Sequence, residues 1–113
     1  MDLLTDLLQQ ARPGERCAVV AGNSVVTLRV AASVSRMGWT FGQELGFVGF
    51  DDPEWASLIR PGLSAVAQPT DAIGQRAAQC LLERINGLQG PARESLLPGL
   101  LVVRGSSLGP AGP

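Results

Sequence analysis

Two polar pairs stand behind apolar runs: Asn23-Ser24 after CAVVA and Gly22, and Asp51-Asp52 directly after LGFVGF. Asn offers both a donor and an acceptor, whereas an ionised Asp only accepts. A sugar hydroxyl both donates and accepts, so Asn23 and Asp51 together are what a sugar site needs. Trp55, shortly after, offers apolar area that can cover a sugar face. Each of these residues also has a plainer role. Asn23 can cap a helix, and Asp51-Asp52 before Pro53 can form an Asx-type turn. Trp55 can be core or interface. Gln68, at a later strand end, is uninformative by itself.

Several other chemistries are excluded. The chain has no His, and its nine basic residues are all Arg. There is thus no Ser-His-Asp or Cys-His relay, no His-ligated metal, no Schiff-base Lys and no P-loop Lys. Cys17 and Cys80 are expected to be reduced core residues, since free Cys is usually buried. Two thiols do not make a zinc site. No metal or cofactor is expected. A phospho-acceptor receiver domain needs a Lys, and it needs acids where Asn23-Ser24 stand. A glycosidase dyad needs carboxylates on opposite faces of one bond, which adjacent Asp51 and Asp52 cannot provide. The reading is that of a non-enzyme. Ten acids and nine scattered Arg give a net charge of -1. That argues against holding nucleic acid through phosphate neutralisation. No apolar run approaches the ~20 residues that span a bilayer, and no basic n-region opens the chain, so a cytoplasmic location is expected.

These side chains must be held by regular elements. Leu3, Leu4, Leu7 and Leu8 predict a helix over 2–10. Cys17–Ala21 reads as a strand buried on both faces. The spacing of Val26, Val30, Val34 and Met37 predicts a helix over 25–37, with Gly38 ending it. Leu45–Phe50 is a second buried strand, 54–60 a short helical or irregular segment, and 63–67 a third strand. Thr70 or Asp71 then caps a helix whose face is Ile73, Ala77, Leu81 and Ile85. Leu96-Leu97 and 100–104 form a last strand. The tail from Gly105 is expected to fray. Strands alternating with helices predict an α/β fold, a mostly parallel sheet flanked by helices. Ligands of such sheets bind beyond the carboxyl ends of the strands, where both polar pairs lie.

The runs VVAGNSVVTLRVAASV, LGFVGFDDPEW, PGLSAVAQPTDAIGQRAAQCLLERING and LPGLLVVRGSS resemble the effector-binding region of LacI/GalR-family transcription regulators. GFDD, a strand, and then QP-x-x-x-x-G-x-x-A is the most recognisable part. DPEW and VAQPT look closest to regulators responding to gluconate and ketogluconate-type sugar acids. The resemblance implies a two-lobed fold like the periplasmic sugar-binding proteins, with effector in the cleft. It implies a homodimer, and operator DNA bound only through an N-terminal helix-turn-helix head that is missing here. Carried over, Asn23, Asp51 and Gln68 would face the cleft, and Trp55 would border it. The chain departs from the family in having Asn23-Ser24 for Asn-Asp and Gly42-Gln43-Glu44 for Pro-Glu-Asp. Residues 1–67 would be part of the second lobe. Residues 68–104 would cross over to pack on a first lobe absent here, and 105–113 would be a flexible tail. Two rival functions remain: a truncated dimerisation module without ligand binding, and a solute-binding protein for sugar transport.

Overall fold

The computed structural model describes residues 5–6, 9–10 and 16–109. Four strands form its sheet: β1 (Cys17–Ala21), β2 (Leu45–Phe50), β3 (Ser64–Ala67) and β4 (Leu100–Val102). They lie side by side in chain order. β1, β2 and β3 are parallel, with Val19 opposite Phe47 and Gly49 opposite Ala65. β4 runs antiparallel to β3. The α/β, mostly parallel sheet read from the sequence is the one observed. The described residues also include the helices α1 (Ser24–Arg36) and α2 (Thr70–Ile85) and the 3-10 turns Glu54–Leu58 and Gly105–Ser107.

The core sits on one face of the sheet. Leu45 and Phe47 are buried there with Val30 and Val34 of α1, Phe41, Ala56 and Leu63. The Phe41 and Phe47 rings meet edge to face at 5.3 Å, a favoured aromatic geometry. Gly49 is what lets α1 approach, since a Cβ there would lie 3.1 Å from the Thr27 hydroxyl.

Several expectations are corrected. β1 is not buried on both faces: Val20 is 78% exposed, because the core covers only the alternate side chains. The buried stripe of α1 is Thr27, Val30, Ser33 and Val34 rather than one through Val26, which is exposed. Neither Thr70 nor Asp71 caps α2 through its side chain; the Ile73 amide bonds the Pro69 carbonyl instead. Cys17 is half-buried against the core, but Cys80 lies on α2, which buries no residue. Of the helix expected over 2–10, Thr5, Asp6 and Gln9 are helical, while Leu3, Leu4, Leu7 and Leu8 lie outside the described residues.

The tail is the largest departure. Residues 105–107 do not fray; Ser106 is fully buried. Its amide bonds the Gly62 carbonyl at 3.0 Å and its hydroxyl donates to the Phe47 carbonyl at 2.8 Å. Gly105 lies so close to Pro61 that a Cβ would sit 2.6 Å from the ring. Small residues that looked like linker composition are there because bulkier ones do not fit. Residues 110–113 lie outside the described part.

The segment expected to leave as a unit, 68–104, divides. Its strand, β4, returns to the sheet beside β3, while α2 stands off it. The radius of gyration is 18.7 Å, against about 13 Å for a compact chain of this length.

Candidate functional site

Asp51 follows β2 with a positive φ of 81°. Non-glycine residues adopt this region rarely, Asp and Asn more readily than most. Its amide still bonds the Val66 carbonyl at 2.9 Å, continuing the ladder between β2 and β3. The turn brings the Asp51 carboxylate to the side-chain amide of Gln68, which donates to it. Two residues 17 positions apart thus meet because parallel β2 and β3 end at the same edge.

Around them lies an open concavity of about 420 Å³, walled by Ser24, Asp51, Asp52, Pro53, Ala67, Gln68 and Thr70. It stands beyond the carboxyl ends of the parallel strands, where open α/β sheets bind their ligands. The carboxylate accepts, the carboxamide donates and accepts, and the hydroxyls of Ser24 and Thr70 do both. A polyhydroxylated ligand matches such a wall.

The other two expected site residues are placed differently. The Asn23 side-chain oxygen accepts from the Val26 amide at 2.9 Å, making it the N-cap of α1. Ser24, its neighbour, is the residue on the wall. Trp55 is half-buried and packs against the core cluster, outside the concavity wall. The structure therefore brings together Asp51 and Gln68, and leaves Asn23 and Trp55 in the plainer roles weighed for them.

Asp52 turns away from its neighbour's task. Both its oxygens accept from Arg104, at 2.8 and 3.0 Å. Such a fork is the stronger form of ion pair. It holds the Asp52 carboxyl below its ordinary value of 3.8, against the opposing pull of burial. Arg104 was missed in the sequence. An Arg ending an apolar run carries no signal of an acid 52 positions upstream, and only the antiparallel return of β4 brings them together.

A second concavity, about 450 Å³, lies between α2 and residues 93–97 and includes Ile73, Ala77, Cys80 and Leu96. The Glu83–Arg93 pair, at 2.7 Å, and an Arg84 that donates to the carbonyls of Leu88, Gly90 and Pro91 hold this loop to the helix. Arg84 in this way closes the end of α2. Among the described residues no group of three or more His, Cys, Asp or Glu could hold a metal, and no helix is long and apolar enough to cross a membrane.

Comparison with known proteins bears on the family and the fold. A family model described as a periplasmic binding protein-like domain matches residues 1–107. The HTH-type transcriptional regulator PtxS of Pseudomonas plecoglossicida is 44% identical over 90 residues, 80% of this chain and 26% of that protein. A probable transcription regulator from Thermus thermophilus superposes with a TM-score of 0.69 at 42% identity, covering 96% of this chain and 41% of the other. A LacI family transcriptional regulator from Enterococcus faecium, solved with bound ribose, gives 0.76 at 25% identity over 93% of this chain and 38% of the other. The chain thus spans about a quarter of the length of the curated relative, 26%.

Proposed function

Because this chain belongs to the periplasmic binding protein-like family, in the form found in LacI-type regulators, we propose that it is the effector-sensing part of a DNA-binding transcription regulator. It binds rather than transforms its ligand, a sugar or sugar acid, and works in the cytoplasm. The carrying observation is the meeting of Asp51 and Gln68 in a polar concavity at the ends of β2 and β3. The ribose held by the Enterococcus faecium relative is a ligand of the same chemistry.

In this reading residues 1–67 are one wall of a cleft, and α2 crosses to a first lobe that forms the other. Effector stabilises one arrangement of the lobes, and operator affinity differs between arrangements. Operator contact belongs to a helix-turn-helix head in a longer polypeptide, and the whole regulator is a homodimer. Asp51 accepts from ligand hydroxyls and Gln68 reads a neighbouring one. The described wall residues include no Arg, and Arg104, which pairs with Asp52 beside them, is already engaged. The carboxylate of a sugar acid would therefore be bound from the other side of the cleft.

One wall binds weakly, so NMR titration of this chain is the suitable test. D-ribose and D-gluconate at millimolar concentrations are expected to shift the signals of Ala67, Gln68 and Thr70, and Asp51→Asn is expected to remove the response. Each lost hydrogen bond to a charged group is worth about 1.5–3 kcal/mol. Equal responses in both chains, or none in either, would sink the assignment.

A second reading, a pairing module without ligand, is favoured by one observation. α2 buries no residue, and Leu81, Leu82 and Ile85 are 58–69% exposed. Soluble monomers seldom leave such a face open.

A further inference from the structure

We propose that Arg104 is a positioning residue for the Asp51–Gln68 pair: by gripping Asp52 it keeps its neighbour turned into the concavity. The inference rests on the effector reading for the importance of that pair, though not for the geometry.

Asp51 sits at φ 81°, a conformation that persists in a non-glycine residue only where the surroundings over-determine it. On one side the determinant is the bond from its amide to Val66. On the other it is Asp52, whose carboxylate is held in the Arg104 fork at 2.8 and 3.0 Å. The fork is itself fixed. Its Nη1 also donates to the Leu63 carbonyl at 2.7 Å, and the Arg104 amide donates to the Ser64 hydroxyl at 2.7 Å. The side-chain stem crosses Gly62, where a Cβ would come within 3.1 Å of Arg104 Cδ. Gly62 is thus the gap through which Arg104 reaches Asp52. The Ser64 hydroxyl meets that of Ser107 at 2.6 Å, and Ser106 bonds the Phe47 carbonyl. The guanidinium is in this way tied to β2 and β3, the two strands whose ends carry Asp51 and Gln68.

Adjacent acids therefore divide the work. Asp52 is the handle by which the frame holds the turn, and Asp51 is the face presented to ligand. With the handle released, the turn relaxes toward negative φ and the Asp51 carboxylate leaves Gln68. A plain tail staple would instead stabilise the fold and leave the pair alone.

The test compares Arg104→Lys and Asp52→Asn, which break the fork from either side, with Ser106→Ala, which loosens the same tail without touching Asp52. The readouts are the Gln68 side-chain amide signals by NMR, thermal unfolding, and the response to D-ribose. In folded Arg104→Lys and Asp52→Asn the Gln68 amide is expected to move to the position of a free side chain. Any D-ribose affinity should fall about tenfold, as for the loss of one good hydrogen bond. Ser106→Ala is expected to lower the unfolding temperature with the Gln68 signals unmoved. If either fork variant fails to fold, the other carries the comparison. Gln68 signals unchanged in a folded fork variant would overturn the proposal. Signals that move in chains that never bind sugar would support positioning and defeat the effector reading.

Discussion

Asp52 gives up its proton more readily than a free carboxyl because two Arg104 nitrogens hold the charged form. Its folded value lies below the ordinary 3.8. The resulting stabilisation is therefore complete above about pH 4 and is lost as pH falls through the lowered value. The unfolding temperature should drop in acid, and the drop should shrink in Asp52→Asn, which starts lower at neutral pH; parallel curves for the two chains would refute this. Asn23 makes a different prediction. As the N-cap of α1, its change to alanine should cost about 1 kcal/mol, with Asn23→Ser recovering most of it. Denaturant unfolding reads the loss. A sugar response that vanished in Asn23→Ser at full stability would mark Asn23 as a ligand group as well. At this scale the residue types were legible and their partners were not: Asp51 was singled out before Pro53, but nothing in the sequence says which of two acids meets Gln68 and which meets Arg104.

The elements were legible where one periodicity governs them. The second and third strands and the 70–85 helix fall within a residue or two of their expected bounds. α1 was placed well, with Val30, Val34 and Met37 on the core side as expected and Thr27 and Ser33 buried where Val26 is not. Several apolar residues lie on each side of it, and the side facing the sheet is chosen by the gap at Gly49 and by Thr27 bonding back to the Asn23 carbonyl at 3.1 Å. The 3-10 turn at 105–107 was missed altogether, because Gly and Ser mark both linkers and tight packing. Its fit is testable. Gly105→Ala places a methyl 2.6 Å from the Pro61 ring. It should destabilise by about 1–3 kcal/mol, as overpacking does. Calorimetry that found no loss would mean the turn is not seated as described.

For the whole molecule the exposed faces matter most. Val20 on β1 and Leu81, Leu82 and Ile85 on α2 are apolar and uncovered in a single chain. In isolation the chain is expected to self-associate through α2, seen as a concentration-dependent mass in sedimentation equilibrium. Leu81→Glu with Ile85→Glu should return it to monomer. A monodisperse monomer whose 71–86 amides exchange freely would contradict this.

Composition, periodicity and the GFDD and QP runs determined the α/β class, the parallel strands and the polar strand ends. These are local properties, set by side-chain type and by spacings of two and of three to four residues. The tertiary structure alone decided that β4 returns antiparallel to β3, that Arg104 reaches Asp52, that Ser106 is core, and that Asn23 caps while Asp51 faces Gln68. Each of those depends on residues brought together across many positions, where contact is decided by which strands share an edge and how closely small residues let them approach.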